Sequence, residues 1–185
     1  MPVVSLADIE RLYAQHGSLA YGEDVTQLEH ALQCAALARA ADAAPSLIVA
    51  ALLHDIGHLF EQEADVADAV WDGRHEIHGA RALGGLFGPA VCGPIALHVA
   101  AKRYLCFRDT AYSNTLSAAS RRSLQLQGGI MDATAAAIFE RQPWWREAVM
   151  LRRFDDAGKI DQPVALAFAD FAPVLRQMLN DPQAV

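Results

Sequence analysis

Residues 53–58 read Leu53-His54-Asp55-Ile56-Gly57-His58, at the end of an apolar run that begins at Leu47 and Ile48. An imidazole beside a carboxylate, with a second imidazole four residues on, is hard to explain by packing alone. Neutral imidazole and carboxylate are the ligand types that suit first-row transition metals such as iron, manganese and zinc. Working outward from this stretch, His30 lies upstream and His75, His98 and Asp155 lie downstream, each in or beside a helical pattern. Six such groups are enough for two metals if Asp55 bridges them. On one continuous helix His54 and His58 share a face, while Asp55 points about 100° away. His30 and Asp155 can join them only through tertiary packing. The expectation is a metal site, dinuclear, inside an all-helical shell.

Each histidine also has a plainer reading, because a lone His on an apolar helix is more often a hydrogen-bonded core residue. His78 competes with His75 for the ligand role. His75 is preferred, since His78 could lie on the surface one turn on. His16 reads as a helix-end residue.

The surrounding pattern is helical throughout. Ser5 can cap a helix that Gly17 ends. A second helix spans about Val25 to Ala43 and is stopped by Pro45. Ser46 can cap a third, Leu47 to about Leu59, where the spacing of Leu47, Ile48, Ala51 and Leu52 is helical. Glu61 to Gly73 is acidic and reads as a surface loop. His75 to Phe87 forms a fourth helix, and Pro89 or Pro94 opens a fifth that reaches about Tyr104. A sixth covers Ser113 to Leu126 and is broken by Gly128-Gly129. Asp132 caps Ala133 to Glu140, Pro143 suits the first turn of a helix carrying Trp144, Trp145 and Leu151, and Pro163 begins the last. No run alternates apolar and polar residues with β-branched enrichment as a strand would, so no sheet is expected. The fold class is all-α, a single compact helical bundle over 1–185, with the metal-site core at about 19–160.

The 185 residues, 53% hydrophobic and 20% charged, describe a globular chain large enough for a real core. A net charge of −7 argues against a nucleic-acid groove, which needs a basic stripe. No stretch of 18 apolar residues suggests a membrane span, and Met1 to Ser5 does not look like a signal peptide. Cys34, Cys92 and Cys106 are an odd number without metal-type spacing, which suits buried thiols in a reducing cytoplasm.

His30, His54-Asp55 and Asp155 resemble the H…HD…D signature of the HD-domain superfamily, and Leu53 to His58 is similar to its HDIG variant. Most members are phosphohydrolases; a smaller branch, including myo-inositol oxygenase and the phosphonate-degrading oxygenases, holds two irons and uses dioxygen. Further segments resemble the phosphonate-degrading branch: Tyr21 to His30; His75-Glu76 with Gly79-Ala80; His98 to Leu105; Leu116 to Ser120; Ser123 to Gly129; and Leu151 to Asp156 with Lys159. The likeness covers roughly residues 19 to 160.

That resemblance implies an HD-domain bundle holding an Fe(II)/Fe(III) pair, with His30, His54 and Asp155 on one iron, His75 and His98 on the other, and Asp55 between them. It implies cleavage of the C–P bond of a 2-amino-1-hydroxyethylphosphonate, with a free or N-methylated amine. Dioxygen would be the co-substrate, and glycine or a betaine plus phosphate the products. Lys102, Arg152, His58 and Ser120 supply the cationic and hydroxyl donors that an anionic phosphonate needs, and Gln127 is grouped with them. By resemblance, Glu23 contacts the amine, and Tyr21 occupies an open iron position until substrate displaces it. A single residue separates Tyr21 from Glu23, a shorter spacing than the family pattern. The alternative is a metal-dependent phosphohydrolase acting on a nucleotide or phosphate ester; a sensory module with an inert metal is a third class. Trp144, Trp145, Tyr104, Phe107 and Tyr112 suit core packing better than an aromatic wall, so methylation of the amine is left open, as is the oligomeric state.

Overall fold

Helix α1 (Leu6–His16) starts at a capping box in which Ser5 and Asp8 satisfy each other's backbone amides, and Gly17 ends it. In this computed structural model the described residues are 5–23, 25–63, 73–161 and 165–180. A second capping box, Thr26 with Glu29, opens α2 (Gln27–Ala40). Then follow α3 (Pro45–Leu53), α4 (Ile56–Glu63), α5 (His75–Leu83), α6 (Pro89–Arg108), α7 (Thr110–Thr115), α8 (Ala118–Leu126), α9 (Ala133–Phe139) and α10 (Trp145–Ala157). A 3-10 turn (Phe168–Phe171) leads into α11 (Ala172–Gln177).

The all-α expectation holds, with local corrections. A two-stranded antiparallel ribbon, β1 (Ala20–Glu23) and β2 (Val25–Thr26), stands where no sheet was expected. It is too short for an alternating pattern to show. The Gln27 amide donates to the Leu19 carbonyl and the Leu28 amide to that of Gly17, tying the ribbon onto the start of α2. The helix expected over 47–59 is two helices. His54 turns its Nδ1 onto the Ala51 carbonyl at 3.0 Å, taking an acceptor from the last turn of α3. The His58 amide then closes onto Asp55 after three residues instead of four. His54 and Asp55 therefore occupy a helix junction between α3 and α4.

Pro45, not Ser46, sets the start of α3, at its first turn after Ala44. Pro89 opens α6 in the same way, and Pro94 is carried inside that helix. The expected sixth helix is split into α7 and α8 at Leu116 and Ser117, whose hydroxyl caps α8. Asp132 caps α9 as expected. Helix α10 begins at Trp145, after Trp144 in the left-handed region at φ 66°. Helix α4 takes in residues 61–63 of the expected loop. Of the rest of that loop, 64–72 lie outside the described residues, as does the Pro163 helix start, while Gly73 is described, at φ 71°.

The main core joins α1 to α6 with α10 and α11. Ile9, Leu12, Leu52, Leu53, Ile56, Leu83, Ile95, Leu151, Phe171 and Leu175 are all buried in it. Helix α6 runs through the middle and touches α3, α5, α7, α9 and α10. Each leucine- or isoleucine-sized side chain so buried contributes roughly 1.5–3 kcal/mol. That apolar frame holds the polar groups of the α3–α4 junction in place. Among the described residues no helix is long and apolar enough to cross a membrane.

Candidate metal centre and its cavity

Asp55 lies at the middle of a ring of buried imidazoles. Its Oδ2 faces His54 Nε2 at 3.3 Å and His30 Nε2 at 3.7 Å. Its Oδ1 faces His75 Nε2 at 3.2 Å and His98 Nε2 at 3.5 Å. Asp155 Oδ1 approaches His30 Nε2 at 3.5 Å. The six residues singled out in the sequence therefore meet, from α2, the α3–α4 junction, α5, α6 and α10. His78 is half-buried on α5, and it is His75 whose Nε2 reaches Asp55.

The tautomers show what the ring lacks. His30 Nδ1 faces the Gly158 carbonyl at 2.8 Å, His54 Nδ1 that of Ala51, and His98 Nδ1 that of Ile95 at 2.7 Å. A carbonyl can only accept, so each Nδ1 carries the proton and each neutral ring presents a bare lone pair at Nε2. Yet His30 and His54 bring those atoms to 3.3 Å, and the His98 lone pair faces His75 Nε2 at 3.2 Å. The facing lone pairs of His30 and His54 repel unless a cation lies between them. Asp55 Oδ2 is itself buried without a hydrogen-bond donor. Two donors about 2.1 Å from a shared ion, at ordinary coordination angles, lie about 3.0–3.4 Å apart. The residues fit two metal ions, one on each side of Asp55.

The electrostatics agree. Burial would raise the Asp55 carboxyl, but the charge of His54, with the close approach of His54, His75 and His98, holds it well below the usual carboxylate range. Burial would lower His54, but Asp55 and then Asp155 hold it above the ordinary imidazole value. Burial dominates at His30, which is pushed down to about 4, and at His98, which is also lowered. The carboxylates thus draw positive charge into a site where His30 and His98 resist protonation, and a metal ion resolves that conflict.

Close backbone approach builds this geometry. A Cβ on Gly57 would stand 2.1 Å from the His75 carbonyl oxygen, and one on Gly79 would stand 3.2 Å from the Gly57 nitrogen. The two glycines let α4 and α5 press together and carry His75 inward. On the other side, a Cβ on Gly158 would meet Cys34 Sγ at 2.6 Å. Gly158 therefore brings its carbonyl to His30. Neither Gly57 nor Gly158 stands out as a ligand, yet each positions one.

A cavity of about 330 Å³ opens beside Asp55, His75, His98 and Asp155. His58, Lys102, Ser120, Gln127, Arg152 and Tyr21, all singled out in the sequence, line it. His58 stacks on His75 with ring centres 3.9 Å apart. Buried Lys102 donates to Ser123 Oγ at 2.7 Å, and burial, then the nearby Arg152 charge, push its pKa down to about 8. Gln127 leads into the left-handed Gly128 and Gly129, whose carbonyls accept from the Arg103 guanidinium. Tyr21 stacks on His30 at 3.9 Å and donates to Asp155 Oδ1 at 3.5 Å, despite its short spacing to Glu23. The Glu23 side chain lies outside the described residues.

Ser123 and Lys159 also line the cavity, although the sequence marks them only as parts of longer resembling segments. Lys159 Nζ lies 3.1 Å from Asp155 Oδ1 and 3.3 Å from Ser120 Oγ. Glu76, buried beside His75 Nδ1 at 3.7 Å, is a further neighbour that sequence reasoning did not place.

A helical bundle with paired His-and-carboxylate nests about an HD step defines a class. The family model for the HD domain matches residues 28–123, and the chain belongs to the HD-domain family. Within it, the chain is 48% identical over 161 residues to hydroxymethylphosphonate dioxygenase of Gimesia maris, covering 86% of this chain and 80% of that one. It is 41% identical over 160 residues to the glycine-betaine-forming [1-hydroxy-2-(trimethylamino)ethyl]phosphonate dioxygenase of Leisingera caerulea, covering 86% and 82%. An uncharacterised protein of Acanthamoeba polyphaga mimivirus is 37% identical over 158 residues, covering 82% and 71%.

Proposed function

We propose that this protein is an iron-dependent oxygenase that cleaves the carbon–phosphorus bond of a 1-hydroxyphosphonate with dioxygen. The reaction converts R–CH(OH)–PO3H2 and O2 into R–COOH and inorganic phosphate, with every atom conserved. The reading rests above all on the ring of four buried imidazoles around Asp55, three of them with Nε2 left as an acceptor, set beside a cavity that holds Lys102, Arg152 and Lys159. Oxygenative chemistry is supported by the two dioxygenase relatives, whose names both carry a hydroxyl on the carbon bonded to phosphorus.

His30, His54, Asp155 and Asp55 Oδ2 would hold one iron; His75, His98 and Asp55 Oδ1 would hold the second, as an Fe(II)/Fe(III) pair. Bound there, the pair supplies Lewis acidity and the redox capacity that dioxygen chemistry needs. The protein's own groups bind and orient. Lys102 carries its charge below about pH 8 and, with Arg152, His58, Ser120 and Gln127, meets the phosphonate oxygens. Tyr21 covers the His30 side and would yield that position to substrate. Where R carries an ammonium group, as in 2-amino-1-hydroxyethylphosphonate or its N-methylated forms, Glu23 is its contact, and glycine or a betaine is the product. We take residues 1–185 as one domain, and the three free thiols support a reducing cytoplasm.

The test is phosphate release by iron-loaded protein from 2-amino-1-hydroxyethylphosphonate, its N-trimethyl analogue and hydroxymethylphosphonate, with and without dioxygen. Release that requires dioxygen is expected for at least one of the three. Oxygen-independent release, or turnover of phosphate esters alone, would replace the oxygenase with a phosphohydrolase.

A further inference from the structure

Arg152 lines the cavity, but its donors point mainly at protein. Nη1 donates to Asp155 Oδ2 at 2.5 Å, and Nε donates to Asp156 Oδ2 at 3.1 Å. Nη2 pairs with Asp156 Oδ1 and reaches Ser120 Oγ at 3.4 Å. One edge of the guanidinium is thus forked onto Asp156, and only the remaining corner faces Asp155. Tyr112, from α7, fixes the fork from outside. Its hydroxyl donates to Asp156 Oδ2 at 2.5 Å and accepts from Arg152 Nε at 3.2 Å. Tyr112 is buried, so this hydroxyl has a proton to give and a lone pair to fill, and the clamp uses both.

The consequence falls on Asp155. A planar guanidinium prefers to bind a carboxylate with two parallel hydrogen bonds. Left alone with Asp155, three residues along the same helix, Arg152 could engage both of its oxygens and turn them from the ring. Asp156 takes the forked edge instead, so Arg152 caps Oδ2 alone and Oδ1 stays aimed at His30. Charge closes as well: Arg152 and Lys159 balance the buried Asp155 and the half-buried Asp156.

We infer that Asp156 and Tyr112 are positioning residues that lock Arg152 across one oxygen of Asp155 and make that carboxylate a single-oxygen donor to the His30 side of the centre. The inference rests on the metal reading above. Neither residue touches the ring of ligands, so their effect should be confined to one of the two ions. A role in general stability would weaken both.

The experiment is anaerobic titration of the full chain with Fe(II) against a competing chelator, with thermal melts alongside. Wild type should take two equivalents. Asp156→Asn should weaken one of them by about 10–100-fold, the range for lost outer partners of metal ligands, and leave the other unchanged. Tyr112→Phe should weaken the same ion less. Repeated on a His98→Ala background, which strips the cavity-side nest, Asp156→Asn should still weaken the remaining ion; on a His30→Ala background it should not. Equal weakening of both ions, or of neither, would overturn the inference while the metal reading stands. Fewer than two equivalents in wild type would overturn both. Should Asp156→Asn fail to fold, Tyr112→Phe, which removes one oxygen atom, decides the matter by the same readings.

Discussion

The two nests on either side of Asp55 share one carboxylate and differ in nearly everything else. The His30 nest is the more enclosed: His30 and His54 are fully buried, Tyr21 stacks on it, and Asp155 adds a second carboxylate backed by Arg152 and Lys159. The His75 nest has two imidazoles and only the Asp55 carboxylate, and both its rings border the cavity. The larger donor set suits a firmly held ion that opens only where Tyr21 stands. A smaller donor set facing an open space suits one that exchanges a position with incoming ligand. A carboxylate shared as a bridge would let the two be near each other without being alike.

The largest effect that can break this comparison is at the bridge. Asp55→Ala should lose both ions together and abolish turnover; two equivalents of iron retained by mass spectrometry or colorimetric assay would refute the bridging role. Gly57→Ala acts on one side. Its methyl group would meet the His75 carbonyl, and forcing α4 from α5 should cost roughly 1–3 kcal/mol of stability. It should also strip the cavity-side ion while the His30 ion stays, as read by thermal melting and metal content together.

A smaller effect tests the cavity apart from both nests. Lys102→Ala should raise KM for the phosphonate by about 10–100-fold, as loss of a charged hydrogen bond implies, with metal content intact. Burial holds the Lys102 pKa down to about 8, so the charge is present below that pH and lost as pH rises through it. Wild-type kcat/KM should therefore fall above about pH 8, and Lys102→Arg, whose charge persists, should move that limb upward. An unmoved limb would assign it to another group. The smallest change is Tyr21→Phe. Its hydrogen bond to Asp155 is long, at 3.5 Å, so the loss should be under about 1 kcal/mol, up to roughly fivefold in affinity of the His30-side ion. An effect confined to the His75-side ion would reverse the assignment of Tyr21.

Much of the candidate centre was legible because its ligand-type residues are chemically unusual where they stand. His54-Asp55 in an apolar run, His98 four residues before Lys102, and Asp155 after Arg152 each break a hydrophobic pattern in a way packing does not require. The helices were legible from capping residues and periodicity. Other features were not. The break at His54 has no proline or glycine immediately before it to announce it, and the β1–β2 ribbon is shorter than any period it could display. Tyr112 reads as a core aromatic, and only its hydroxyl, reaching Asp156 forty-four residues away, reveals a second task.

By itself the sequence determined an all-α fold class, the six ligand-type residues and the cations that accompany them, because residue chemistry and helical period are local properties. Which oxygen of Asp55 faces which histidine was decided only by tertiary structure. So were the access of Gly57 and Gly158 to their neighbours and the division of Arg152 between two aspartates. These depend on distances of a few ångströms between helices far apart in the chain, and such distances are set by how the whole apolar core packs.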